Sequence, residues 1–330
     1  MKVVILGGGF ASLKIATLIS HNSKKEEVNV TLISSTKRFI FLPLIPNLLD
    51  KSFKKDSFNL FVNLEEFCFS RGIRFINHTV LEQDIQSEYL LVQGRKLDFD
   101  LLFDGRGKID ERNKGTYEFW DKFIHSVEAE PLEKDLIFKK PGIAEYEIIQ
   151  ALKSRSKNLN VRFIDSKKSF SSHPQLKNVY NRNNLKKIML QSPMIIHINK
   201  NAMVKGKKVL LGGSLATILN CESTAQFASF TAKVGYRIFL QEQKNLSGNS
   251  ASEYQIKKYR QRGKMLYVDS NDCYIWLGED CKMGIKPHVK GRLGYFIREQ
   301  FYLRQMQLFY SEKMPTKVIN IYKFILNIFR

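Results

Sequence analysis

The chain opens on Lys2-Val3-Val4-Ile5-Leu6, a short, β-branched, apolar run that reads as a strand. Gly7-Gly8-Gly9-Phe10-Ala11-Ser12 follows at once, Leu13 to Ser20 reads as a helix, and Val28 to Ile33 as a second strand. Strand, glycine-rich turn, helix and strand form the opening of a dinucleotide-binding βαβ unit. One glycine permits the tight turn out of the strand. Another lets the backbone approach a pyrophosphate, held where free N–H groups and the helix dipole favour anions. Two positions depart from the pattern. Ser12 stands at the third glycine of G-x-G-x-x-G, small enough to fit but expected to loosen the helix–strand packing. Ser34 and Ser35 follow Ile33, where an acidic residue is expected.

The pattern continues with changes of rhythm. Phe39 to Pro46 is an apolar loop punctuated by Pro43 and Pro46, expected to line a pocket or an interface. A helix is expected from Leu60 to Ser70, capped by Gly72. Short strands are expected over Ile73 to Ile76 and Thr79 to Leu81, then a hairpin, Glu88 to Val92 and Lys96 to Phe99, around Gln93-Gly94. Leu101-Leu102-Phe103 runs into Asp104-Gly105-Arg106-Gly107, a second glycine turn in which the Arg106 charge suits a phosphate. Lys108 to Lys134 is a charged connector. Asp135 to Lys139, Ala144 to Ser154 and Asn160 to Asp165 repeat the strand–helix–strand rhythm.

Leu176 to Leu190 fits a basic helix, and Met194 to Ile198 and Lys208 to Leu211 fit strands. Gly212-Gly213-Ser214 then precedes a helix-like stretch, Ala216 to Lys233, and a strand-like one, Tyr236 to Leu240. That is either a third nucleotide turn or an ordinary turn, since a glycine doublet after a strand is common. Lys264 to Asp269 and Cys273 to Leu277 read as paired strands, and Leu293 to Arg330 is helical in character.

Composition adjusts this picture. Of the 330 residues, 43% are hydrophobic and 26% charged, which suits globular domains with a sizeable core. The net charge of +21 favours anionic partners such as a lipid surface, a nucleic acid or an anionic cofactor, unless it is a bias toward solvated lysines. No helix-turn-helix, RNP or zinc motif accompanies the charge, so nucleic acid is set aside. Four scattered cysteines without C-x-x-C argue against a metal site and a disulfide framework. No signal peptide and no apolar run of about 18 residues is seen, so a cytoplasmic protein is expected.

Four segments resemble the two-dinucleotide-binding-domain flavoprotein reductases, and among them type II NADH dehydrogenases and sulfide:quinone reductases. Val3 to Ala11 is similar to the family opening at the FAD pyrophosphate. Val30 to Ile33 followed by Phe41-Leu42-Pro43-Leu44 is similar to its strand and F-x-P-L loop. Asp100 to Gly105 resembles its return strand. Cys273-Tyr274-Ile275-Trp276-Leu277-Gly278-Glu279-Asp280 resembles the late strand whose Gly-Asp pair meets the flavin ribityl chain.

The resemblance implies an α/β fold of tandem Rossmann-like FAD/NAD(P)-binding domains with a C-terminal helical tail that meets a membrane. The boundaries expected are 1–107 for the first part of the FAD-binding domain and 108–263 for the connector and a degenerate NAD(P)-binding-like domain. The return segment is 264–292 and the tail 293–330. It implies FAD contacts at Gly7, Gly9, Phe10, Ala11, Ser12, Ser34, Pro43, Gly105, Gly107, Gly278 and Asp280. The second unit, Phe138 to Ala144, has one glycine where the NADH-binding domain has several, which weighs against NAD(P). Cys221 is the one catalytic candidate, although a lone helical cysteine is more often buried structure and a reactive thiolate needs an electropositive, accessible site.

In the tail, Asn320, Lys323 and Asn327 fall on one side of a helix, and Ile321, Phe324, Ile325, Ile328 and Phe329 on the other. Such a helix suits an anionic lipid interface. Docking on the protein's own core or on a second copy is the alternative, and a homo-oligomer stays open. The function expected is an FAD-dependent oxidoreductase, peripheral on the inner face of the cell membrane, passing electrons from an unidentified donor to a quinone or other small-molecule acceptor. The alternative is a cofactor-poor, non-catalytic relative serving as a membrane or protein-interaction scaffold.

Overall fold

The structure is a computed structural model. It describes residues 1–23, 27–50, 61–81, 89–106, 136–138, 143–153, 161–163, 209–213, 225–246, 263–269, 272–277, 289–307 and 309.

The opening apolar run becomes β1 (Lys2–Leu6), the centre of a five-stranded sheet. It pairs in parallel with β2 (Asn29–Ser34) on one side and β8 (Leu101–Asp104) on the other. Beyond β2 lies β5 (Arg74–Asn77), and beyond β8 lies β11 (Val209–Leu211), both parallel. Successive side chains of β1 point to opposite faces. Val3 and Ile5 enter the main core, whereas Val4 and Leu6 pack with Leu90, Val92, Phe99 and Leu102 on the other face. That second face is covered by the hairpin of β6 (Tyr89–Val92) and β7 (Arg95–Asp98). Its turn has φ of 53° at Gln93 and 73° at Gly94, the pair of left-handed residues that a tight hairpin needs.

Helix α1 (Phe10–Asn22) lies between β1 and β2. The strand expected over Tyr236 to Leu240 is instead part of a long helix, α5 (Ala225–Leu246), packed on α1. Its buried Phe227, Thr231 and Phe239 recur at multiples of four, a helical stripe that outweighs the strand-like aromatic and apolar run from Tyr236 to Leu240. The extra helix also changes the setting of Val209–Leu211. This strand, expected in the second unit, hydrogen-bonds into the first sheet beside β8.

The apolar stretch around Pro43 is not a loop. It holds β3 (Arg38–Ile40), a 3₁₀ turn (Leu42–Leu44) and α2 (Ile45–Leu49), with β3 antiparallel to β4 (Phe61–Asn63). Pro46 is accommodated because the first turn of a helix leaves its N–H groups unpaired in any case. The helix expected from Leu60 begins later, as α3 (Leu64–Phe69). Asn63 caps it, accepting from the N–H groups of Glu65 and Glu66 while its amide donates to Glu66 Oε1 at 3.0 Å. Gly72, at φ +67°, ends that region as expected. Thr79 to Leu81 forms no strand.

Strand β9 (Leu136–Phe138), α4 (Ile143–Lys153) and β10 (Val161–Phe163) form the second βαβ, with the two strands parallel. Strands β12 (Gly263–Asp269) and β13 (Asp272–Leu277) are paired as expected, antiparallel and apart from the five-stranded sheet. Helix α6 (Gly291–Gln307) packs on β13. A Cβ at Gly294 would stand 2.1 Å from the Cys273 carbonyl oxygen, so this crossing requires glycine.

Candidate functional site

Three strands deliver glycines to one point at the C-terminal edge of the parallel sheet, the edge where open α/β sheets bind ligands. Gly7 leaves β1 at φ +89°, and its N–H donates to the Ile33 carbonyl at 2.7 Å. A Cβ there would lie 2.7 Å from Arg106 Cα and 2.9 Å from the Gly105 carbonyl oxygen, so the turns after β1 and β8 touch backbone to backbone. The turn after β11 completes the group. Gly212 donates its N–H to the Asp104 carbonyl, and a Cβ on Gly213 would come to 3.5 Å from Ala11 Cβ.

Helix α1 starts in the middle of these turns. Gly9 caps it without a side-chain hydrogen bond, and the first intrahelical bond runs from Leu13 N–H to Gly9 oxygen at 3.0 Å. The N–H groups of Phe10, Ala11 and Ser12 therefore have no partner within the helix. No acidic residue lies in that first turn. The positive end of the helix dipole and a glycine-walled approach fit a pyrophosphate here.

Ser12 does not loosen the packing as expected. It is fully buried and its hydroxyl donates to the Leu6 carbonyl at 3.0 Å, tying α1 to the end of β1. A Cβ on Gly105 would come to 2.2 Å from that hydroxyl oxygen, so glycine on one side accommodates serine on the other. Ser34 ends β2 beside the glycine turn, its Oγ 2.7 Å from where a Gly8 Cβ would stand. It is buried, and its Oγ accepts from Thr36 N–H at 3.2 Å.

Arg106 does not offer its charge to a phosphate. Its Nε and Nη2 donate to the two carboxylate oxygens of Asp104 at 2.9 and 2.7 Å, and Nη1 donates to the Val80 carbonyl. A bidentate pair of this kind holds the guanidinium in the plane of its own strand's carboxylate. The cradle at α1 is therefore one of backbone N–H groups.

Pro43 sits in the 3₁₀ turn, and its carbonyl accepts from Arg298 Nη2 at 2.9 Å. Arg298 belongs to a buried polar network that sequence reasoning missed. Its Nη1 donates to Asn47 Oδ1 at 2.6 Å, and its Nη2 lies 3.4 Å from Glu147 Oε2. Glu147 Oε1 accepts from the Tyr267 N–H at 2.7 Å, and the Tyr267 hydroxyl donates to Asp50. Burial pushes the Glu147 carboxyl above its ordinary range, against the pull of Arg298 and the Tyr267 N–H. Burial also raises the Tyr267, Tyr295 and Tyr302 phenols, so all three are neutral; Tyr267 donates to Asp50, whereas Tyr295 accepts from the Asn47 amide.

An aromatic cluster covers the start of α1. The Phe10 ring is 5.4 Å from those of Phe41 and Phe309, and Phe309 also meets Phe39 and Phe67. The tail thus begins by docking on the protein's own core. Cys68 and Cys273 are buried, and burial pushes the Cys68 thiol up to about 12, which keeps it protonated.

Gly107, Cys221, Gly278 and Asp280 lie outside the described residues, as do the expected basic helix, the strand from Met194 and the amphipathic end of the tail. The strand leading to Gly278 is nevertheless described: β13 pairs with β12, and the late strand that enters the parallel sheet is β11. The glycine pair after Val209-Leu210-Leu211, read from the sequence as either a third nucleotide turn or an ordinary turn, stands at the end of that strand in the parallel sheet.

No protein-family model and no curated protein matches the chain. Solved structures do. The sulfide:quinone oxidoreductase of Aquifex aeolicus is 14% identical, with a TM-score of 0.57 over 91% of this chain and 89% of that one. NDH2 from Plasmodium falciparum, solved in complex with NADH, is 14% identical, with a TM-score of 0.56 over 94% and 95%. A NAD-dependent persulfide reductase from A. fulgidus is 14% identical, with a TM-score of 0.53 over 87% and 66%. At such identities the likeness is one of fold. This chain has the Rossmann-like α/β architecture of these dinucleotide-binding oxidoreductases.

Proposed function

We propose that this chain is an FAD-dependent oxidoreductase that takes electrons from an unidentified donor and passes them to a quinone-like acceptor at a membrane. One observation carries the reading: the N-terminus of α1, which has no side-chain cap, is walled by glycines from the ends of β1, β8 and β11. The backbone N–H groups of Phe10, Ala11 and Ser12 hold the pyrophosphate of FAD. Gly7, Gly9, Gly105 and, beyond the described residues, Gly107 give it room. Ser34, beside the glycine turn, is the contact for the adenosine side, and Pro43 is a further flavin contact that the resemblance implies. Gly212 and Gly213 add a third wall to this site, beside the flavin contacts that the resemblance implies for Gly278 and Asp280. FAD, when bound, supplies the redox chemistry; the protein places it and sets its surroundings.

No described helix is long and apolar enough to cross a membrane. The charge of +21 supports an anionic surface as the meeting place with the acceptor, with the tail beyond residue 309 as its contact. NAD(P) has weaker support, because the sequence from Phe138 to Ala144 holds one glycine where a second pyrophosphate-binding turn calls for several.

The visible spectrum of the purified protein tests the reading, with flavin bands expected at about 370 and 450 nm. Absence of those bands, together with no uptake of FAD on reconstitution, overturns it. A second reading, a non-catalytic scaffold, is favoured by the Asp104–Arg106 pair, which closes the second glycine turn upon itself. Binding of the flavin-free protein to anionic liposomes, without reductase activity, would support that reading instead.

A further inference from the structure

One stripe of α6 runs along the segment from Phe39 to Asn47. Tyr295, Arg298 and Tyr302 follow one another at intervals that keep one helical face, and Phe309 follows just beyond the end of the helix. The Tyr295 hydroxyl accepts from the Asn47 amide at 3.1 Å. The Tyr302 ring stands 5.6 Å from Phe41, and Phe309 reaches Phe39 at 5.8 Å and Phe10 at 5.4 Å. These contacts step back from α2 to the first residue of α1.

Arg298 is the centre of the stripe. It has no exposed surface, and its guanidinium lies 4.9 Å from the Tyr302 ring centroid and 5.2 Å from that of Tyr267. Its fork serves three acceptors on three elements: the Pro43 carbonyl in the 3₁₀ turn, the Asn47 side chain on α2 and Glu147 on α4. Its Nε meets no acceptor among the described residues. Burying a guanidinium with one donor unmatched is unfavourable, so what Arg298 contributes is geometry more than net stability. A planar fork can hold acceptors in several directions at once, and a lysine ammonium on a flexible stem cannot reproduce it.

We propose that Arg298 is a positioning residue for the flavin: it fixes the Pro43–Asn47 turn and, through Phe41 and Phe10, the start of α1 against which the cofactor binds. The proposal rests on the FAD reading above. It goes beyond it by making α6 a wall of the cofactor site, whatever the rest of the tail meets. It also links the first site to the second βαβ, because Glu147 lies on α4.

The test compares the wild-type chain with Arg298→Lys, Arg298→Met and Lys96→Ala, the last on the hairpin across the sheet. FAD is titrated by quenching of its fluorescence, and the spectrum of the bound flavin is recorded. Arg298→Lys is expected to weaken FAD about tenfold, the equivalent of one charged hydrogen bond, and to alter the flavin band shape. Lys96→Ala is expected to change neither. If Arg298→Lys binds FAD with wild-type affinity and spectrum, the proposal is overturned while the FAD reading stands. If the wild type takes up no FAD, both fall. Should Arg298→Met fail to fold, amide exchange in the flavin-free Arg298→Lys protein decides. Faster exchange over Phe41 to Asn47 supports the positioning role, and unchanged exchange overturns it.

Discussion

Replacing Glu147 by alanine removes two buried interactions at once. The carboxylate stands 3.4 Å from Arg298 through Oε2 and accepts the Tyr267 N–H through Oε1 at 2.7 Å. Both Glu147 and Arg298 are buried, so water does not replace the lost partner. Removing one member of a buried ion pair typically destabilises by about 3–5 kcal/mol, because the other charge is left uncompensated. The orphaned Tyr267 N–H accounts for about 1–3 kcal/mol within that figure. Glu147→Gln keeps an oxygen for Tyr267 and is expected to cost less. Glu147→Met with Arg298→Met removes both charges and is expected to cost far less than the two single changes added together. Guanidinium denaturation followed by circular dichroism measures each variant. A loss below about 1 kcal/mol for Glu147→Ala, or strict additivity in the double variant, would refute the buried-pair account.

The same residue sets a pH dependence. The folded state holds the Glu147 proton more tightly than the unfolded chain, whose ordinary value is 4.5. Its contribution is therefore complete below that value and is lost as the pH rises through the raised folded pKa. Denaturation midpoints of wild type and Glu147→Gln should diverge in favour of the variant as the pH climbs across that window. Gly7→Ala forces an L side chain to φ +89° with its Cβ against Arg106 backbone, so a loss of about 1–3 kcal/mol for the backbone conformation, with overpacking added, should appear as a lower Tm. Ser12→Gly restores the glycine motif yet should lower stability by about 1–2 kcal/mol in urea titrations, through the lost bond to Leu6 and the weaker helix propensity. Asn63→Ala removes the cap of α3 and should cost about 1 kcal/mol by the same measure. Neither Cys68 nor Cys273 should react with an aromatic disulfide reagent until the protein is denatured.

Local chemistry made much of this protein legible from its residues alone. The apolar run at Lys2–Leu6 and the glycines after it determined a strand and a phosphate-type turn, because backbone sterics leave such sequences few conformations. Gln93-Gly94 likewise determined a tight hairpin, and Gly72 a helix end. The Asn63-to-Glu66 capping box was present in the sequence, and reading it would have placed the start of α3 correctly. Other features depended on what lay opposite. Tyr236 to Leu240 is helical because its neighbours bury a stripe on α1, and Pro43 and Pro46 are tolerated because α2 begins there. Arg106 turned to Asp104 and away from the α1 cradle, a choice between two anionic partners that composition cannot make.

The joining of β11 to the first sheet and the assembly of the Arg298 network were decided by tertiary structure alone. Arg298 is separated along the chain from Glu147 by 151 residues, from Asn47 by 251 and from Pro43 by 255. No periodicity or motif spans such intervals. Each of these polar residues reads as an ordinary surface residue until the fold withdraws water from it, and then hydrogen bonding leaves it few partners but the others.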